Sequence, residues 1–292
     1  MIDGLLKQRP SIEARRAALE LVAEASKGFA FIERNWYLTK RYAAWELVWI
    51  TYNVVNALSV TLIASAAQKS LHLNRAAFDN LTLYLVIGTA IWSFVSVVFD
   101  NVTETVTIER WEGTIEYTFM APVSRLTHML GTCTFAIVHG LLLTVVQLVV
   151  VSLFFHLDIS HANWGASALL MLVGSVSFIG LGTMGAVLPL LFTERGAQMT
   201  YIIRAVMLLV SGVYYPVSVL PGWMQPLSYL SPATYVLDGL RKAIQAGSGA
   251  GALWGDIWPL MISGVVCLPL GLAIFNAGER YAKRTGKLKR NG

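Results

Sequence analysis

Charge is what this sequence has least of. Asp, Glu, Lys and Arg make up 13% of its 292 residues, against about a quarter in soluble globular domains. Together with 55% hydrophobic residues and a mean hydropathy of +0.59, that scarcity excludes an ordinary soluble domain. Cysteine is scarce as well: Cys133 and Cys267 both lie inside apolar runs. They read as small buried hydrophobes, not as a disulfide framework or a metal pair. The five histidines, His72, His128, His139, His156 and His161, are scattered outside any C-x-x-C or H-E-x-x-H frame, so no metal site is assigned. The pattern GxxxxGK[ST] is missing, and the single Gly-Lys pair, Gly286-Lys287, is followed by leucine. The chain therefore offers no P-loop for a nucleotide phosphate. No Ser/His/Asp spacing is recognisable either, and no catalytic residue is assigned. The first 40 residues mix acids and bases without an apolar stretch ending in small residues, which reads as no cleavable signal peptide.

What is present is a series of apolar runs long enough to cross about 30 Å of hydrocarbon, for which roughly 20 helical residues suffice. Six spans are expected: Ala43 to Ala67, Leu81 to Val102, Leu126 to Phe155, Trp164 to Phe192, Met199 to Leu220 and Ile257 to Ala277. They divide the chain into an arm (1–41), a transmembrane domain (42–278) and a basic tail (279–292). Lipid leaves the backbone no partner but itself, so the spans are expected to be helices. The net charge of +5 does not point to nucleic acid, because the basic residues gather in the arm and in the tail "ERYAKRTGKLKRNG". With both ends cytoplasmic, only Lys69, Arg75, Arg241 and Lys242 of the 22 Lys and Arg fall outside, a positive-inside bias that sets the orientation. The basic ends then face anionic headgroups.

In the arm, Leu19, Val22, Phe29, Ile32 and Trp36 recur at helical spacing, while Glu20, Glu24, Lys27, Glu33 and Arg34 lie elsewhere on the wheel. An amphipathic helix lying in the inner headgroup layer is expected, a solvated helix being the alternative. After the fifth span, "YYPVSVLPGWMQPLSYLSPATYVLDGLRKAI" is apolar but carries Pro216, Pro221, Pro226 and Pro232, which no single straight helix holds. Short helical pieces dipping into the outer leaflet are expected, with an interfacial loop anchored by Trp223, Tyr229 and Tyr235 as the alternative.

Between spans two and three the chain interrupts itself with "ERWEGTIEYTFMAPVSRL". At 100° per residue, Glu109, Glu112 and Glu116 share a face, and Trp111, Ile115 and Phe119 group beside it. A short amphipathic surface helix is expected, broken at Pro122 with Ser124 starting the next span. Its acidic face suits either a solvated loop or a docking knob for a partner with a complementary cleft. Within the spans, Asn53, Asn56 and Ser59 recur on one helix face; such groups line a wet pathway or a dimer seam, or hydrogen-bond between helices of one subunit. Gly182 and Ala186 read as close helix packing. Glu46 is expected at the interface near an arginine of the arm. Asp100 and Glu104 are expected to pair with the arm helix. Ionisable residues deep in the spans look few beyond His139.

The string "ERWEGTIEYTFMAPVSRLTHMLG", the proline-rich stretch and the entry "AFIERNWYLTKRYAAW" resemble, in that order, the coupling region, the extracellular re-entrant segment and the interfacial connecting helix of type-2 ABC exporter permeases. The resemblance covers essentially the whole chain. It implies an all-α membrane protein of six transmembrane helices, with an N-terminal interfacial amphipathic helix, a cytoplasmic coupling helix between spans 2 and 3, and a re-entrant helical segment, bearing Pro221, Trp223, Pro226 and Pro232, between spans 5 and 6. It implies a permease that pairs with a second copy or a paralogue above two cytosolic ATPase subunits. ATP and Mg would bind to those subunits, with no cofactor on this chain. Glu109, Arg110, Trp111, Glu112, Gly113, Thr114 and Glu116 would then form the ATPase contact. The cargo implied is an amphipathic drug or metabolite, or a lipid-linked glycan, exported across a bacterial plasma membrane. Rival readings are a standalone channel or ion-coupled secondary transporter, and a membrane-anchored scaffold.

Overall fold

A computed structural model describes residues 12–72, 74–121, 123–155, 157, 159–192 and 195–286. Among the described residues every regular element is helical: α1 (Ile12–Arg41), α2 (Ala43–Leu71), α3 (Arg75–Glu112), α4 (Ile115–Met120), α5 (Arg125–Phe154), α6 (Trp164–Gly185), α7 (Val187–Leu191), α8 (Gly196–Val210), α9 (Gln225–Leu230), α10 (Pro232–Gln245) and α11 (Trp254–Arg284). Among the described residues five stretches are long and apolar enough to cross a membrane: α2, α3, α5, α6 with α7, and α11. The chain is a multi-pass helical membrane protein.

Local chemistry accounts for the helix starts. Asn74, Ser124 and Asn163 each accept a hydrogen bond from the amide three residues on, at 2.8, 2.9 and 3.0 Å, capping α3, α5 and α6. Ser124 thus starts the helix of the third expected span, while Pro122 lies outside the described residues. Pro232 occupies the first turn of α10 and Pro226 that of α9, where a missing amide proton costs nothing.

At the centre stands α3, whose 38 residues make a rod about 57 Å long. Phe94, Val98, Phe99 and Val102 on it are fully or almost fully buried. Against it pack α2, α5, α6 and α10, and α6 packs most extensively on α11. That last contact brings backbones together: a Cβ on Gly271 would stand 2.5 Å from the Gly180 carbonyl oxygen, and one on Gly180 would stand 2.5 Å from that of Cys267. Small residues permit such approach in lipid, where close packing replaces the hydrophobic drive. Gly182 serves a different contact, facing Val102 of α3, and Ala186 is fully buried.

The fifth expected span departs from the sequence reading. The helix α8 has 15 residues, about 22 Å of rise against about 30 Å of hydrocarbon. It stops at Val210, and Gly212 adopts φ 71°, a left-handed conformation that glycine takes without strain. Two groups hold this break. Arg241 of α10 donates to the Gly212 and Val213 carbonyls at 3.0 and 2.7 Å, and its guanidinium lies 3.6 Å from the centre of the Tyr84 ring. Beneath it, a Cβ on Gly88 would come within 2.2 Å of the Val213 oxygen. Arg241, counted from sequence among the outside charges, is therefore buried, and Lys242 beside it pairs with Asp256 at 2.7 Å. Beyond the break the chain runs through a turn at Pro221 into α9 and α10. Val236, Leu237 and Leu240 of α10 are buried, whereas Trp223 is 73% exposed.

Candidate functional site

The interruption that the sequence places in one short helix is divided in two. Helix α3 does not end at Val102 but continues for ten residues, and Gly113 at φ 72° then closes it. The Thr114 amide donates back to the Glu109 carbonyl at 2.9 Å, satisfying an orphan carbonyl of the last turn. Only after this does α4 begin. Glu109, Glu112 and Glu116 consequently do not share a face, because the wheel assumed one unbroken helix through Gly113.

Glu109 is fully buried and Arg110 nearly so, which corrects their expected place on an exposed acidic face. Glu109 receives Arg34 of α1 at 2.6 Å and faces His128 Nε2 of α5 at 3.5 Å. Arg110 donates to the Leu190 carbonyl of α7. The end of α3 is thereby tied to α1 and α7 by charge-assisted bonds and lies against His128 of α5. Trp111, Glu112, Glu116, Tyr117 and Met120 project outward, with Trp111 63% and Tyr117 73% exposed. Ile115 is buried beneath them, and Gly113 and Thr114 lie half-buried at the bend. The result is an exposed aromatic and acidic knob on a fixed base.

Helix α1 braces that base. Phe31 lies against the His128 ring with centroids 4.5 Å apart. Glu24 pairs with Lys27 at 2.7 Å and accepts from the Thr127 hydroxyl; these bonds, Lys27 first, hold the Glu24 carboxyl below its ordinary range. Gly131 lets the helices touch, since a Cβ there would sit 2.6 Å from the Gly28 oxygen. Of the expected apolar stripe, Phe29 and Trp36 are exposed on the far side of α1 and Ile32 is half-buried. The side chains of Leu19 and Val22 lie outside the described residues.

A second feature was not anticipated. Helices α2, α3, α5 and α8 border a half-open cavity of about 510 Å³. Asn53 and Asn56 line it, and the Ser93 hydroxyl donates to Asn53 Oδ1 at 3.4 Å. Ser59 is exposed outside the lining and bonds back to the Val55 carbonyl at 2.7 Å. The same wall gathers Glu46, Asp100, Glu104, His139 and Arg204. Asp100 pairs with Arg204 of α8, not with the arm helix. Glu46 faces His139 at 3.4 Å instead of an arginine of α1, and His139 stacks on Phe135 at 5.3 Å. The signal was available: Glu46, Trp49, Asn53 and Asn56 on α2, and Ser93, Val97, Asp100 and Glu104 on α3, recur at three and four residues, the spacing of one helix face.

Comparison with known proteins agrees with this architecture. The permease described as "Inner membrane transport permease YadH" from Escherichia coli strain K12 is 25% identical over 158 residues, 54% of this chain and 60% of that protein. The protein of the same description from Shigella flexneri matches to the same extent. The match thus spans about 60% of the length of these curated relatives. The family described as ABC-2 type transporter matches residues 29–244. That match begins inside α1, ends at the close of α10 and takes in well over half of the residues, so the chain belongs to the ABC-2 type transporter family.

Proposed function

We propose that this chain is the membrane permease of an ATP-driven exporter, working as a pair of permeases above two separate ATPase subunits that carry the ATP and Mg. The observation carrying the reading is the exposed knob of Trp111, Glu112, Glu116, Tyr117 and Met120 on a base where buried Glu109 meets Arg34 and His128. A knob of this kind suits insertion into a cleft on an ATPase. Glu109 and Arg110 then act not as the contact surface but as the links that pass its movement to α1, α5 and α7. Gly113 and Thr114 set the bend between lever and knob. When ATP closes the two ATPases, the knobs move and the helices rock as packed units.

The remaining features follow the same reading. Helix α8 and residues 211–220 together make the fifth of six crossings, with the break at Gly212 held by Arg241. Pro221, Trp223, Pro226 and Pro232 belong to a segment that re-enters the outer leaflet, covered by α6 and α11. α1 lies in the inner headgroup layer, both ends of the chain are cytoplasmic, and the membrane is the bacterial inner membrane. The exposed apolar face of α2, including Trp45, Leu62 and Ile63, meets lipid and the second permease, with Asn53 and Asn56 toward the pathway. Nucleic acid has no place in this reading.

The test is purification of the tagged chain from its host in mild detergent, as wild type and as Glu112→Lys. A P-loop ATPase that accompanies wild type and is lost or uncoupled in the variant supports the reading. Wild type that moves solute with no ATPase overturns it.

A second reading, an ion-coupled transporter, draws on the ionisable cavity, since carboxylates and histidine at membrane depth serve proton relays elsewhere. Uptake into ATP-free vesicles driven by an imposed proton gradient would favour it, and strict dependence on ATP excludes it.

A further inference from the structure

We propose that the cavity between α2, α3, α5 and α8 is a binding site for a hydrophobic organic cation, an amine or quaternary onium ion; the inference rests on the export reading, whose cargo class it names. Three observations converge. The volume of about 510 Å³ falls in the range that holds a drug-sized molecule, roughly 300–1,000 Å³.

The second observation is charge. Asp100 is paired with Arg204, and Glu46 faces His139. Glu104 makes no ion pair among the described residues, yet it lines the same space. When ionised, three carboxylates against one guanidinium and one imidazole give the wall a negative surplus. A cation entering the cavity meets that surplus at Glu104, whose side chain is exposed along the same wall.

The third observation is the remaining wall. Trp49, Tyr52, Trp92, Tyr201 and Tyr214 line the cavity. Aromatic faces attract a poorly hydrated cation through the ring quadrupole and exclude water around it. They show this chemistry already within the site, where the Arg204 guanidinium lies 4.8 Å from the Tyr201 ring centre. A neutral glycan gains from stacking but has no use for the surplus negative charge. A small inorganic cation has no use for the rings. An onium ion or protonated amine with an apolar body uses both.

The experiment compares two probes of one shape and opposite charge, tetraphenylphosphonium and tetraphenylborate, on the purified full-length chain in nanodiscs with any ATPase that accompanies it. Equilibrium dialysis against empty nanodiscs removes lipid partitioning. Saturable binding of the phosphonium, none of the borate, and a loss of affinity of roughly tenfold or more in Glu104→Gln support the site. The comparison on wild type needs no variant to fold, and Glu104→Asp, which keeps the charge, restores binding. Equal binding of both probes, or phosphonium binding unchanged in Glu104→Gln, overturns the proposal. Dodecyltrimethylammonium, which carries a lipid-like ammonium head, competes with the phosphonium if the site stands; failure to compete overturns the onium chemistry. The assay does not depend on ATP. Phosphonium binding without a co-purifying ATPase sinks the export reading alone, and an ATPase with indiscriminate probe binding sinks the cation site alone.

Discussion

Arg34 and Glu109, 75 residues apart in the chain, meet at 2.6 Å where α1 crosses the end of α3, with Glu109 fully buried and Arg34 partly exposed. His128 faces the same carboxylate from α5 at 3.5 Å. This contact joins the peripheral helix to the lever that carries the exposed knob. Arg34→Met is expected to destabilise the chain by about 1–3 kcal/mol, a range reduced for the partial exposure of Arg34. Arg34→Met with Glu109→Gln is expected to cost less than the two changes summed, because the double variant leaves no buried unpaired charge. Thermal unfolding of the four proteins in one detergent checks both statements.

The exposed knob should behave oppositely. Trp111→Ala and Glu112→Lys touch no buried partner and are expected to shift stability by less than about 0.5 kcal/mol. Under the proposed function, each nonetheless reduces ATP-driven transport several-fold. Equal losses of stability and transport would place these residues in the fold, not in the coupling surface.

At the break after α8, Gly88→Ala forces a methyl against the Val213 carbonyl, a contact of 2.2 Å with backbone. A loss of about 1–3 kcal/mol is expected. Arg241→Ala orphans the Gly212 and Val213 carbonyls and should cost a similar amount. Both are expected to speed proteolytic cleavage near Gly212, read by mass spectrometry of the fragments.

The crossing of α6 and α11 gives a paired comparison within one helix. Gly271→Ala places a Cβ 2.5 Å from the Gly180 oxygen, whereas Gly255→Ala meets nothing within 4 Å. The first is expected to lower the unfolding temperature by several degrees, and the second to leave it unchanged or raise it slightly, since alanine favours helix by about 1 kcal/mol over glycine.

Orientation is open to direct measurement. Alkaline phosphatase fused after Gly251, between α10 and α11, is expected to be active, and fused after Gly286 to be inactive. The reverse pattern overturns the inside placement of the chain ends.

The membrane class was legible because lipid imposes a composition that no other environment requires, and the long apolar runs of α2, α3, α5, α6 and α11 carry it. The prolines at 216, 221, 226 and 232 showed that the segment after the fifth span is divided, and Ser124 marked a helix start, by local chemistry alone. Glu109 was misjudged because an acidic wheel says nothing of partners 75 and 19 positions away on other helices, and because one glycine reset the helix phase. The length of α8 was misjudged because hydropathy continues smoothly across Ser211 and Gly212 while the backbone does not.

The sequence by itself determined that this is a helical membrane protein, where its long helices run and which segments prolines divide. Those properties follow from transfer free energy and short-range sterics, which act residue by residue. Tertiary structure alone decided that Glu109 and Arg110 face inward while Trp111 and Glu112 face out. It alone decided that Asp100 finds Arg204, and that five ionisable groups from four helices share one cavity. Each of these depends on the relative rotation of packed helices, which the periodicity of any one helix leaves free and the close fit of its neighbours settles.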